Sequence, residues 1–207
     1  MLHTLAESNP LRNPLFRSVP LGGILLPMDL VEERRLVMPV ICPGCGLSHE
    51  ALDLPAPDEL TATGECVFEY GTVSATFYTE PLLVSKRQHM VDAYACQHPA
   101  VTTRRAVQRT ALSLMTLDLV FGAGMDVAHG PRAHQLMMRH HPDIFTPLVK
   151  PDMTGTLTYR HVAAVSEDLA AVVVAQEEWA RSVWNAWVEH HAQVRAWNEQ
   201  LVPQLLR

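Results

Sequence analysis

The sequence has no stretch near the roughly 18 consecutive apolar residues that a membrane-spanning helix needs, so a spanning helix is not expected. The longest N-terminal apolar run, Leu21 to Met28, is interrupted by Gly22, Gly23 and Pro27 and has no basic flank before it. Neither a signal peptide nor an anchor is expected there, and the chain reads as cytoplasmic. An excess of basic charge is also missing: the net charge is −6 over 207 residues. Non-specific nucleic-acid binding relies on Lys and Arg neutralising phosphates, so neither nucleic acid nor anionic membrane is an expected partner. The basic clusters at Arg34-Arg35 and at Arg104, Arg105 and Arg109 read as solvated helix faces. Several catalytic signatures are absent as well, among them His-Glu-x-x-His, Gly-x-Ser-x-Gly and the phosphate-binding Gly-x-x-x-x-Gly-Lys-Ser/Thr. Phe121-Gly122-Ala123-Gly124 lacks both a third glycine and a preceding strand, so it reads as a helix stop.

Only four cysteines are present. With no export signal they are expected to be reduced thiols, which makes a disulfide framework the wrong reading of the even count. Cys42-Pro43-Gly44-Cys45-Gly46 is the most informative segment. Two thiolates separated by two residues can meet one ion in a tight turn, at about 2.3 Å each for zinc. Gly46 can take the positive φ that leaves backbone N–H groups facing the sulfurs. A redox dithiol and a turn with two unligated thiols are the other readings. Because no second Cys-x-x-Cys follows, further ligands must come from scattered positions.

Cys66 is the first candidate for a third ligand and His98 for a fourth, the latter at a helix end just before Pro99. Both could reach the knuckle if the first two long helices pack antiparallel. Their alternatives are a small buried hydrophobe for Cys66 and a histidine facing the last carbonyls of its helix for His98. His89, Asp92 and Cys96 share one helical face, either as a second metal-capable group or as a half-exposed surface. His190 falls near the centre of a tryptophan-lined face and reads as a core histidine, with a metal ligand or an acid/base residue as the alternative. His140-His141 precedes Pro142 in a loop, and Glu167-Asp168 and Glu177-Glu178 read as solvated acids.

The patterning predicts a mainly α fold, a helical bundle with an N-terminal zinc knuckle and an irregular N-terminal arm. Residues 1–40 carry five prolines, which permits only short helices such as Leu30 to Leu36 and makes this segment the arm; residues 41–207 form the folded domain. A first helix, with Asp58 as its N-cap, carries the stripe Cys66, Tyr70, Val73 and Phe77. A second runs from about Leu82 to Gln97, burying Leu83, Met90, Val91 and Tyr94; a third follows Thr102 and Thr103; a fourth spans Pro131 to Arg139. Thr158 opens a short turn through Ala164. From about Ser166 to Leu201 there is neither Pro nor Gly, and one helix on the order of 50 Å long is expected, with Trp179, Val183, Trp187, Val194, Trp197 and Leu201 along one face.

Three segments carry a resemblance: Cys-Pro-Gly-Cys-Gly at 42–46, Val-Asp-Ala-Tyr-Ala-Cys-Gln-His-Pro at 91–99, and Trp-Asn-Ala-Trp-Val-Glu-His-His-Ala-Gln-Val-Arg-Ala-Trp at 184–197. On these the chain resembles a family of small uncharacterised bacterial proteins, the domain of unknown function numbered five-nine-four-six, from about Cys42 to Trp197. The resemblance implies no activity. It implies a cysteine near position 66 and a Gln-His-Pro end, which favours Cys66 and His98 as ligands of a structural Zn2+ together with Cys42 and Cys45. Family members often carry a histidine where this chain has Arg87, and His89 lies off that pattern. The function expected is a non-catalytic, zinc-stabilised helical module acting through a protein partner or a homo-oligomer. The alternative is a metal-dependent hydrolase or transferase with one coordination position open to water, drawing on His89, His98 or His190.

Overall fold

The computed structural model describes residues 38–139 and 144–206. Residues 1–37 of the expected N-terminal arm, including the helix at Leu30 to Leu36 and the Arg34-Arg35 cluster, lie outside the described residues, as does the His140-His141 pair. The described chain is mainly helical. It opens with a two-stranded antiparallel hairpin, β1 (Val40–Ile41) and β2 (Ser48–His49), in which Val40 faces His49 and Ile41 faces Ser48. Eight helices follow among the described residues: α1 (Gly64–Ala75), α2 (Pro81–Val84), α3 (Gln88–Gln97), α4 (Arg104–Phe121), α5 (Gly130–Arg139), α6 (Tyr159–Ala163), α7 (Leu169–Ala186) and α8 (His191–Leu201). None is long and apolar enough to cross a membrane.

Side-chain caps set several boundaries. Thr103 accepts from the Ala106 amide at the start of α4, and Asp168 accepts from the Ala170 and Ala171 amides at the start of α7. Thr158 occupies the N-cap position of α6 without a side-chain bond, and Gly124, at φ +77°, helps turn the chain away from α4. Three sequence expectations are corrected. Asp58 does not cap α1; Thr63 does, accepting from the Cys66 amide at 3.2 Å. Residues before Thr63 are held away from helix by long-range pairing: Thr61 N–H donates to the His98 carbonyl, and Leu60 bridges to Pro99.

The helix expected over Leu82 to Gln97 divides into α2 and α3, with tighter three-residue bonds such as Lys86 N–H to the Leu83 carbonyl at the junction. The Ser85 hydroxyl competes there by bonding the Leu82 carbonyl. The long C-terminal helix likewise breaks at Trp187, giving pieces of about 27 and 16 Å. Without Pro or Gly, the break comes from tertiary packing: the Trp187 ring is wholly buried and its Nε1–H donates to the Cys96 carbonyl at 3.2 Å.

Helix α3 is central, packed between α4 and α7, while α8 lies against α4 and α6 against α7. Every α3 residue except Val91 is buried, so Val91 is not the core residue expected. The His89, Asp92 and Cys96 face, read as half exposed, is in fact inside. Some polar groups in this core are tied to one another: Trp179 Nε1–H donates to Gln97 Oε1 at 2.9 Å, and Asn198 Nδ2–H donates to the Met115 carbonyl and to Asp118.

Candidate metal centre

The turn of the β1–β2 hairpin carries Cys42 and Cys45. Gly46 N–H donates to the Cys42 carbonyl, the Cys42 amide donates to the Leu47 carbonyl, and Gly46 has φ +75°, which only glycine adopts without strain. Cys66 enters from the first turn of α1, and His98 is the C-cap of α3. These two ends are joined through the Thr61–His98 and Leu60–Pro99 backbone links rather than through antiparallel packing of long helices. The Thr61 hydroxyl also bonds the Pro99 carbonyl.

One ligand atom from each of Cys42, Cys45, Cys66 and His98 lies within 4.8 Å of every other. The Cys45 and Cys66 sulfurs are 3.8 Å apart, and the Cys66 sulfur is 3.5 Å from His98 Nε2. Tetrahedral zinc with ordinary bond lengths separates two sulfurs by about 3.8 Å and a sulfur from a nitrogen by about 3.5 Å. Cys42, Cys66 and His98 are buried and Cys45 is half-buried.

The surroundings orient the donors. His98 Nδ1 lies 2.7 Å from the Tyr94 carbonyl. A carbonyl can only accept, so Nδ1 carries the proton and the Nε2 lone pair faces the sulfurs, the tautomer a metal requires. The Tyr94 hydroxyl donates to the Cys66 sulfur at 3.5 Å. Gly44 lies so close to the His98 ring that a Cβ there would overlap it. Lys150 Nζ donates to the Pro43 and Gly44 carbonyls at 2.9 and 2.6 Å, fastening the later loop over the turn. Burial lowers the Lys150 pKa, and the Cys42 and Cys45 sulfurs act against that lowering.

The three thiols titrate against one another. Hydrogen bonds from Cys45 and Cys66 hold Cys42 well below its ordinary value. The bond to Cys42 pushes Cys45 up to about 11, and bonds to Cys42 and Cys45 push Cys66 higher still. Left to themselves these groups favour a single thiolate; three thiolates need a cation among them.

Other candidates lie elsewhere. His89 stacks on Phe121 with ring centroids 5.6 Å apart, and burial depresses its pKa to about 4. His190 is not a central core residue: it is half-buried, and its Nε2–H donates to the Val149 carbonyl at 2.9 Å. Cys96 is wholly buried and does not join the cluster. Glu177 pairs with Arg181, and Glu178 with His161. Tyr94 and Lys150 were not singled out from sequence. Tyr94 had a signal, since it sits four residues before His98 where a helix carbonyl meets a C-terminal imidazole; Lys150, more than 100 residues from its acceptors, had none.

Fold and site together define a small, mainly helical protein with a Cys3His group that could hold a metal ion. The chain belongs to the Family of unknown function (DUF5946), whose sequence model matches residues 40–188 and so includes the whole cluster. No curated protein and no solved structure matches the chain significantly.

Proposed function

We propose that Cys42, Cys45, Cys66 and His98 hold one structural zinc ion, and that the protein is a non-catalytic helical module acting through a protein partner or as a homo-oligomer. The observation that carries this reading is the mutual approach of the four donor atoms within 4.8 Å. Four protein donors complete a tetrahedral zinc shell and leave no position for substrate or water, which gives the ion a fastening task. It would lock the hairpin to the start of α1 and the end of α3, the helix at the centre of the core. Three thiolates and a neutral imidazole would leave one net negative charge around a dication, and the Lys150 ammonium over the turn offsets it. Reduced cysteines of this kind suit a reducing compartment such as the cytoplasm. Exposed apolar side chains, among them Phe68, Val149 and Val188, offer surface for association.

Elemental analysis of the purified chain and its variants tests the proposal. About one zinc per chain is expected, lost in Cys42→Ser, Cys66→Ser and His98→Ala and kept in Cys96→Ser and His190→Ala. Retention of zinc by Cys42→Ser would overturn the site; loss in His190→Ala instead would favour the alternative of a metal-dependent hydrolase or transferase.

A further inference from the structure

A cleft of about 920 Å3 opens beside α3, between α4 and α5, with α1 at one end. Its volume lies in the roughly 300–1,000 Å3 range of small-molecule sites. Val67, Tyr94, Leu112 and Met138 give it apolar walls. Its charged lining is of one sign: Arg105, Arg109 and Arg139 contribute, His134 lines the cleft with them, and no Asp or Glu appears among the described lining residues. That is unusual placement in a chain of net charge −6. Outside the lining, Glu59 partly neutralises the wall, its carboxylate 3.2 Å from Arg105 and 2.6 Å from Arg109.

His134 has a built support. Its Nε2 lies 3.2 Å from Oδ1 of Asp92, a carboxylate 1% exposed on the central helix, an ion-pair approach without hydrogen-bond alignment. Gln88 Nε2–H donates to the same oxygen at 2.9 Å, while Oδ2 has no partner among the described residues. Gln88 in turn fills the space where Gly130 of α5 would carry a Cβ. Burial lowers the His134 pKa, but the Asp92 carboxylate beside the ring outweighs it and leaves the pKa above its ordinary value. A simple tie between α3 and α5 accounts for the ion pair, but not for the arginines sharing the same apolar cleft.

We propose that this cleft binds a small amphipathic organic anion, a monocarboxylate with an extended apolar body, whose tail lies along Val67, Tyr94 and Leu112 and whose carboxylate is held by His134 and the arginines. A small ligand fits better than a protein segment because the supporting dyad is buried in the wall, where a flat partner surface would not reach. The inference is independent of the zinc assignment, although Tyr94 is common to both sites.

Isothermal titration calorimetry of the full chain with dodecanoate, and with dodecanol as the uncharged control, tests it. Saturable one-to-one binding of dodecanoate is expected, with dodecanol about a hundredfold weaker, the equivalent of two charge-assisted hydrogen bonds. His134→Gln and Arg109→Gln should each weaken dodecanoate by about tenfold on the same basis. Glu59→Gln, which frees two arginines, should tighten it. Val91→Trp, at a position already 38% exposed on the cleft wall, should block it with little effect on folding. Unchanged circular dichroism and zinc content in the variants separate loss of this site from loss of fold or metal. Equal uptake of dodecanoate and dodecanol, insensitivity to His134→Gln, or no saturable binding would each overturn the proposal. So would a dimer dissociated by Val91→Trp without dodecanoate uptake, which would make a second copy the occupant.

Discussion

Replacing Trp187 by alanine probes the junction on which the C-terminal half turns. The ring is wholly buried, and its Nε1–H is spent on the Cys96 carbonyl of α3. An aromatic side chain buries roughly 150–250 Å2, which at about 25 cal/mol per Å2 amounts to about 4–6 kcal/mol before alanine's own burial is subtracted. Relaxation around the cavity brings such truncations to about 3–5 kcal/mol. That would be a large share of the roughly 5–15 kcal/mol that keeps a domain folded, and the melting temperature should fall on the order of 10 °C. Trp187→Phe keeps most of the packing and loses the Nε1 bond, so it should cost about 1–2 kcal/mol. Urea denaturation followed by far-UV circular dichroism measures both, with zinc content followed alongside because Cys96 lies two residues from His98. A cost below about 1 kcal/mol for the alanine variant, with red-shifted emission from Trp187 in the parent, would refute the reasoning and turn this ring into a partner surface.

Gly44→Ala should impair metal retention without touching a ligand, because the new methyl group overlaps the His98 ring; expected are about 1–3 kcal/mol of destabilisation and weaker zinc competition against a chelator, and unchanged competition would contradict the geometry. Trp179→Phe leaves Gln97 Oε1 buried without its donor and should cost about 1–3 kcal/mol in the same denaturation assay. His89 is depressed from 6.5 to about 4 by burial. Its unfolded form therefore takes up a proton first, so its contribution is complete above about pH 6.5 and is lost as pH falls toward about 4, to a total on the order of 3 kcal/mol. His89→Phe, which can still stack on Phe121, should flatten that part of the stability profile; an unchanged slope would show that His89 is not the group responsible.

The helical class was legible from periodicity, and so were boundaries written in local chemistry: the Thr103 cap and the glycines after Phe121. Where two capping residue types competed, as at Asp58 and Thr63, long-range backbone pairing with His98 and Pro99 decided, and no local rule contains it. The break at Trp187 was invisible for a similar reason, since every residue across it tolerates helix and the buried ring sets the bend. Periodicity showed that His89, Asp92 and Cys96 share a face but not which way it points. Helix α3 is covered on nearly all sides, so a polar face ended inside. The donors of the cluster could be named by type and spacing. Their orienting partners could be found only where they were near in sequence, as Tyr94 is and Lys150 is not.

X-ray absorption at the zinc edge on the purified full chain tests the central claim most directly, because it counts donors without assuming them. A first shell of three sulfurs at about 2.3 Å and one imidazole nitrogen at about 2.0 Å is expected, with outer-shell scattering from the imidazole ring and no water oxygen. His98→Ala should replace the nitrogen by a light solvent donor or release the ion. A shell with two or fewer sulfurs, a bound water in the parent protein, or an imidazole signal that survives His98→Ala would contradict it.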